Sequence, residues 1–242
     1  MKWAKILVIA LVLFGGFFAL NHLQDYSSKK AYVSITFDDG YVSQYEAART
    51  LESYGWRGTF YIPAGLLGCQ FEGNDIMSIE QIQNLQKQGH EIGAHTFNHT
   101  RAKDVSEEVY ALEVYKGKTG LEEKGISASN FAFPYGDDSK KEAALKYFDT
   151  ARTVRPCVNN FTGRELCGLA LFHALGEYET LPYYLEQLKA NGGWLVIVLH
   201  KIDDNPRPTV DISKEELVWI LNLIKNSGVQ VKTVAEVLNE NH

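Results

Sequence analysis

The chain contains few cysteines, and their spacing excludes two kinds of site. Only Cys69, Cys157 and Cys167 occur among 242 residues, and no two of them form a Cys-x-x-Cys pair. The sequence therefore offers neither a cysteine-rich zinc site nor a dithiol redox motif. Two arrangements stay open: a disulfide between Cys157 and Cys167 that leaves Cys69 over, as an exported protein would allow, or three unpaired thiols.

The chain also lacks a run of basic residues. It has 24 Lys and Arg against 30 Asp and Glu, a formal net charge of -6. Two of the lysines, Lys2 and Lys5, lie in the N-terminal segment, and without them the balance is 22 against 30, or -8. Because phosphate backbones are bound by clustered Lys and Arg, we do not expect nucleic acid as a partner.

The first 20 residues differ from the rest of the chain. Lys2 and Lys5 precede the apolar run Ile6–Leu20, which is typical of a signal peptide or a membrane anchor. No clear small-x-small cleavage site follows it, so both readings stay open. Either one predicts an exported protein, secreted or anchored facing outward, with a membrane as partner if the segment is not cleaved. Residues 21–30 are polar and are interpreted as a tether, and residues 31–242 as one catalytic domain.

From Tyr32 onward, short β-rich runs alternate with helical patterns. This alternation predicts a parallel α/β fold, and the pattern alone leaves open whether the sheet is open or closed into a barrel. The predicted strands are Tyr32–Phe37, Gly58–Ile62, His90–His95, Asn130–Phe133, Thr150–Val154, Leu171–Leu175, Trp194–Leu199 and Val229–Lys232. The predicted helices are Val42–Tyr54, one from Ser78 to Gly89, Asp104–Lys124, Lys140–Tyr147, Leu181–Asn191, one from Ser213 to Asn226, and a short last one, while Arg155–Gly168 is expected to be irregular.

Acidic residues and histidines follow three of the predicted strands. Asp38 and Asp39 end the first strand, His95 ends the third, and His200 follows the apolar run Trp194–Leu199. The carboxyl ends of parallel strands share one face of the fold, where active sites are found. Buried carboxylates and imidazoles cost several kcal/mol unless they are paired or metal-bound.

Two histidines in one short segment strengthen this reading. His95 and His99 lie four residues apart, a spacing that suits one metal ion if the segment coils. Together with Asp38 and Asp39 they predict the centre of a metal-dependent hydrolase.

Four segments in order resemble the motifs of the polysaccharide deacetylases, which are carbohydrate esterase family 4 and share the NodB homology domain. They are ITFDDG (Ile35–Gly40), HTFNH (His95–His99), FAFPYG (Phe131–Gly136) and VIVLH (Val196–His200). The resemblance extends from about Ala31 to the end of the chain. It implies a distorted (β/α) barrel of the NodB type and removal of N-acetyl groups from a glycan built on N-acetylhexosamine.

The resemblance also implies a role for each motif residue. Three residues would hold a divalent metal ion, usually zinc, and the others would move protons or stabilise the oxyanion. The implied assignments are Asp39, His95 and His99 as metal ligands, Asp38 as general base, His200 as general acid, and the backbone N–H of Tyr135 as oxyanion donor.

Two departures from the family pattern concern the catalytic residues. Ala132 stands where many members carry an arginine that orients the catalytic aspartate. We hypothesise that Arg152, on the next predicted strand, supplies this guanidinium, with Arg155 as the second candidate and a surface ion pair of Arg152 as the alternative. The family's fourth motif, which supports the acid histidine, is not recognisable between Thr150 and Gly168.

Because of these departures, two other functions stay open. One is O-deacetylation of a xylan-like polysaccharide. The other is a membrane-tethered glycan-binding module that has lost turnover.

Overall fold

A sheet of parallel strands forms the centre of the protein. The structure, a computed structural model, describes residues 29–172, 180–207 and 210–241. The strands within these residues are β1 Ala31–Phe37, β2 Thr59–Ile62, β3 Gln70–Phe71, β4 Asn74–Asp75, β5 Glu91–Ala94, β6 Asn130–Ala132, β7 Thr150–Arg152, β8 Glu165–Leu166, β9 Leu169–Ala170, β10 Gly193–Leu199 and β11 Gln230–Val231. Nine of them form the sheet: eight follow the order β8-β7-β6-β5-β2-β1-β10-β9, and β11 pairs with β1. The strands β3 and β4 form a separate antiparallel hairpin.

The two edges of the sheet lie next to each other. The edge strands β8 and β9 are separated in the chain by only Cys167 and Gly168, a link that spans about 10 Å at most. The backbone at Gly168 is packed so closely that an added Cβ would lie 2.6 Å from Val198 Cγ2 and 2.7 Å from the Thr153 carbonyl oxygen. The sheet is therefore curled into an incompletely closed barrel, which confirms the predicted α/β fold, a distorted (β/α) barrel of the NodB type.

Helices pack on the outside of the curled sheet. They are α1 Ser43–Ser53, α2 Ile79–Lys87, α3 Glu107–Glu122, α4 Lys141–Leu145, α5 Thr180–Asn191, α6 Lys214–Ser227 and α7 Val234–Asn239. The two predicted capping boxes are confirmed: the side chains of Ser78 and Ser213 accept hydrogen bonds from the backbone N–H three residues later, and Gln81 and Glu216 reciprocate. Three 3-10 turns, Ala64–Leu66, Ala102–Asp104 and Pro134–Gly136, complete the regular structure of the described residues.

The two central strands of the sheet lie in the core. Strands β1 and β10 pair in register from Ala31 with Gly193 to Phe37 with Leu199, and all but the first residue of each is buried. An unbroken apolar strand such as β10 is what a parallel sheet covered on both faces requires.

The structure corrects two of the predicted elements. The strand predicted at Leu171–Leu175 lies instead at Leu169–Ala170, and residues 173–175 are outside the described part of the chain. The segment expected to be irregular contains β8. Both strands have only two residues, too few to produce a periodic pattern.

The predictions for the N-terminus concern residues outside the described part of the chain. This applies to residues 1–20 as signal peptide or anchor and to residues 21–28 of the tether. Among the residues that the structure describes, none of the helices has the length and apolar character to cross a bilayer. Residues Ala31–His242 form a compact unit.

Of the two arrangements predicted for the cysteines, the structure has the one with a disulfide. Cys157 and Cys167 are bonded, and Cys69 is free and exposed. The bond ties the chain that enters β8 to the chain that leaves it.

Candidate active site

Three strands end at the same face of the barrel and carry the predicted residues there. Asp38 and Asp39 follow β1, His95 follows β5, and His200 follows β10. The backbone N–H of Asp38 donates to the carbonyl oxygen of Leu199 at 2.9 Å, so the ends of β1 and β10 are joined directly beside the site.

Asp39, His95 and His99 are brought together at this face. One ligand atom of each lies within 4.8 Å of the others. Asp39 Oδ1 is 3.4 Å from His95 Nε2 and 3.0 Å from His99 Nε2, and all three side chains are at most 8% exposed. One carboxylate and two imidazoles are a donor set that suits a divalent transition metal ion.

The hydrogen bonding of His95 fits a cation between these groups. His95 Nδ1 lies 2.8 Å from the carbonyl oxygen of Ala132, which can only accept, so Nδ1 carries a proton. In the neutral imidazole the lone pair of Nε2 then points towards the carboxylate of Asp39, and two acceptors face each other. Without a metal the cation is a proton: burial lowers the pKa of His95, but Asp39 and Asp38 raise it above its usual value overall. For Asp39 burial acts in the opposite direction and raises the pKa, but His95 and His99 together hold it well below its usual range.

Backbone strain is concentrated at this face. Among the described residues, five that are not glycine have a positive φ, and four of them lie in or beside the site: Asp39 (77°), Thr96 (61°), His99 (58°) and Tyr135 (58°). A left-handed conformation costs a side-chain-bearing residue about 1–3 kcal/mol and is characteristic of functional sites.

Asp38 is paired with Arg152 inside the barrel. Arg152 Nη2 contacts Asp38 Oδ1, and the two side chains are 0% and 3% exposed. The guanidinium also donates to the Thr153 carbonyl oxygen at 3.1 Å and lies 5.0 Å from the ring centre of Tyr61. Arg152 is therefore not part of a surface ion pair.

The position of Arg152 is one strand away from that of the family arginine. Arg152 on β7 is paired in register with Ala132 on β6. The second candidate, Arg155, instead contacts Asp138 at 2.7 Å, with 59% of its side chain exposed.

His200 faces Asp38 from the end of β10. Its Nε2 lies 3.9 Å from Asp38 Oδ2, and its side chain is 17% exposed. His200 Nδ1 is buried and has no hydrogen-bond partner among the described residues. This agrees with the absence of the motif that supports the acid histidine in the family.

Tyr135 lies at the opening of the site. The residue is 54% exposed, and the centre of its ring is 4.8 Å from that of His99. The guanidinium of Arg101 stacks 5.1 Å from the ring centre of Tyr135. The predicted contact of Tyr135 is through its backbone N–H, and its positive φ gives this segment a sharp turn beside His99.

The motifs in the sequence do not predict two residues of the site. Phe71, in the β3–β4 hairpin, places its ring 4.9 Å from that of His99. The turn residues Glu72 and Gly73 were a weak signal for that hairpin. The second, Gln44 at the start of α1, contacts the backbone of both Asp38 and His200, and nothing in the sequence indicated it.

The chain belongs to the polysaccharide deacetylase family, which it matches over residues 25–149, just over half of its length. It is 32% identical over 92 residues to a peptidoglycan-N-acetylglucosamine deacetylase of Bacillus cereus, a stretch of 37% of this chain and 39% of that protein. It is also 25% identical over 122 residues to a gellan lyase of a Bacillus species, 49% of this chain and 4% of that protein. The chain thus spans well under two thirds of the length of these relatives.

Solved structures share the fold across most of the chain. The chitin deacetylase of the fungus Colletotrichum lindemuthianum superposes with a TM-score of 0.58 at 18% identity, over 87% of this chain and 88% of that one. The Xyl-CE4 domain of a multidomain xylanase from the hindgut metagenome of Trinervitermes trinervoides gives 0.54 at 19% identity, over 88% and 91%. At these identities the likeness shows the fold alone.

Proposed function

We propose that this protein is a metal-dependent hydrolase that removes N-acetyl groups from an N-acetylhexosamine-containing glycan of the cell envelope or exterior. The observation that carries the proposal is the buried Asp39–His95–His99 cluster beside the Asp38–Arg152 pair. Three metal ligands with a base next to them are the arrangement of a hydrolytic centre rather than of a structural metal site, which takes four.

The donor set fits a divalent ion, and zinc is the first choice. When bound, the ion would polarise the acetyl carbonyl and make a water molecule more acidic. Asp39, His95 and His99 would hold it, and the hydrogen bond from His95 to the Ala132 carbonyl would keep that imidazole in the required tautomer.

Asp38 has one oxygen available for proton transfer. Its Oδ1 is bound by Arg152, whereas Oδ2 points towards His200 at 3.9 Å. Asp38 would take the proton of the attacking water through Oδ2 while Arg152 fixes the carboxylate plane. In this proposal Arg152 is the guanidinium that the family places at the position of Ala132.

His200 and Tyr135 would act on the other side of the scissile bond. His200 would protonate the departing nitrogen, which an amide needs more than an ester needs for its alkoxide. The backbone N–H of Tyr135 would stabilise the developing oxyanion.

The relatives support N-deacetylation without deciding the substrate. The name of the Bacillus cereus relative specifies N-acetylglucosamine in peptidoglycan. Removal of O-acetyl groups from a xylan-like polysaccharide stays the alternative because of the departures from the family pattern at Ala132 and between Thr150 and Gly168. The unpartnered Nδ1 of His200 favours the third possibility, a glycan-binding module without turnover.

We further propose that the protein acts outside the cytoplasm. The apolar N-terminal segment suggests export, and the bond between Cys157 and Cys167 supports it because disulfides persist in oxidising compartments. The segment would then be either a signal peptide that is cleaved or an anchor that keeps the protein in the membrane.

Acetate release tests the proposed function. The purified protein is incubated with acetylated chito-oligosaccharides, peptidoglycan and acetylxylan, each with chelator and after zinc is restored. We expect zinc-dependent acetate from one of the first two substrates. Release from acetylxylan alone would favour the esterase, and bound metal without acetate from any substrate would favour the binding module.

A further inference from the structure

The side chain of Gln44 is fully buried between the ends of β1 and β10. Its Nε2 donates to the carbonyl oxygen of Asp38 and to that of His200, the latter at 3.1 Å. Carbonyl oxygens only accept, so the amide must turn its NH₂ group towards both of them. One side chain thus connects the main chains of the two residues proposed to accept and donate protons.

The connection begins where the strand pairing ends. The β1–β10 ladder stops at Phe37 and Leu199, one residue before Asp38 and His200. Beyond that point, Gln44 binds the chain at His200, and Ser43 Oγ accepts from the N–H of Ile202 at 3.1 Å. The first turn of α1 therefore binds the segment at His200 where the β1–β10 ladder has ended, and Ile212 binds the residues that follow through hydrogen bonds with Lys201 and Asp203.

We propose that Gln44 is a positioning residue that sets the separation between Asp38 and His200. The proposal rests on the proposed function, since these two residues matter as a pair only if they share the proton transfers. Gln44 contacts only their main-chain oxygens, so it is not a catalytic residue. Its effect is geometric: together with the hydrogen bond from the Asp38 N–H to the Leu199 carbonyl oxygen, the Gln44 amide joins the backbones from which the two side chains face each other at 3.9 Å.

The test uses Gln44→Met, which keeps the length of the side chain and removes both donors. Thr36→Val is the matched control, because Thr36 Oγ1 also donates from β1 to a buried carbonyl of β10, that of Ile197 at 2.8 Å. This control removes a buried side-chain hydrogen bond between the same strands, away from the reacting groups.

For Gln44→Met we expect kcat of acetate release to fall about 10- to 100-fold, the cost of misplacing reacting groups by a fraction of an ångström to an ångström. KM and zinc content should stay within about twofold of the wild type, since neither depends on this amide. Thr36→Val should keep the wild-type kcat although it loses a comparable amount of thermal stability. A kcat that falls no further in Gln44→Met than in Thr36→Val, at a temperature where both are folded, would overturn the proposal.

A second measurement separates this proposal from the proposed function. In Gln44→Met, amide hydrogen exchange at residues 200–202 should be about tenfold faster or more, while exchange within β1 and β10 is unchanged. Gln44→Asn, which keeps the amide but is one methylene shorter, should behave in the same way and serves if the Met variant does not fold. If the wild type releases no acetate, the proposed function fails. If exchange at residues 200–202 is unchanged in the variants, the role of Gln44 is overturned, whether or not the wild type releases acetate.

Discussion

The ion pair between Asp38 and Arg152 gives a quantitative test of the site that does not depend on knowing the substrate. Both side chains are almost completely buried, at 3% and 0% exposure. Arg152→Met removes the cation and leaves the carboxylate of Asp38 buried without a partner. Removing one member of a buried pair costs about 3–5 kcal/mol of unfolding free energy, because the remaining charge is not solvated.

The double variant separates this pairing energy from ordinary packing losses. Asp38→Asn alone leaves the guanidinium without a counter-charge, beside the neutral Thr153 carbonyl and the face of Tyr61. When both charges are removed, no charge remains unpaired, so the double variant should be about 2–3 kcal/mol more stable than the sum of the single effects predicts.

The assay is urea-induced unfolding of the four proteins at neutral pH with chelator present, so that metal binding does not contribute. Arg155 and Asp138 provide the control, since they form a pair at 2.7 Å with 59% and 28% of their side chains exposed. Solvent screens such a pair, and its coupling energy should be below about 0.5–1 kcal/mol. If the coupling of Asp38 with Arg152 were no larger than that of the control pair, the placement of Arg152 against the base would be refuted.

Three further outcomes follow from the same structure. Because Asp39 and Asp38 raise the pKa of His95 despite its burial, a metal must displace a proton there. The affinity for zinc, measured with a competing chromophoric chelator, should therefore be higher at about pH 8 than at about pH 6. Equal affinities would contradict this. Burial lowers the pKa of His90 below its usual 6.5, so the unfolded chain takes up the proton first. As the pH falls below 6.5 the wild type should therefore lose unfolding free energy relative to His90→Asn, which keeps an acceptor for the Gly58 N–H, and a difference that does not change with pH would contradict this. Reducing the bond between Cys157 and Cys167, which closes a loop of 10 residues, should lower the unfolding free energy by about 2–3 kcal/mol, to be compared with a Cys157→Ser variant that should not respond to reductant.

Local signals in the sequence were sufficient for much of the fold. The boxes at Ser78 and Ser213 place two helix starts correctly, because the hydrogen bonds that define them span only three residues. The strand at Trp194–Leu199 is evident from its unbroken apolar run. In contrast, β8 and β9 depend on pairing with distant strands, and two residues each are too few to show a period.

The site divides in the same way. Asp39, His95 and His99 belong to motifs, and the ends of their strands predict a common face. The partner of Asp38 required more, since whether Arg152 points into the barrel depends on the register between β6 and β7. Gln44 could not be found from the sequence, because its two acceptors lie 6 and 156 residues away and meet only in the folded barrel.

Zinc content and acetate release, measured on the same preparations of the wild type, Asp38→Asn and Asp39→Asn, test the division of roles most directly. We expect the wild type to bind about one zinc ion per chain and to release acetate from an acetylated amino-sugar glycan. Asp38→Asn should keep the zinc and release none, and Asp39→Asn should lose both. A wild type that releases acetate equally well without metal, or an Asp38→Asn variant that loses the metal, would contradict the account.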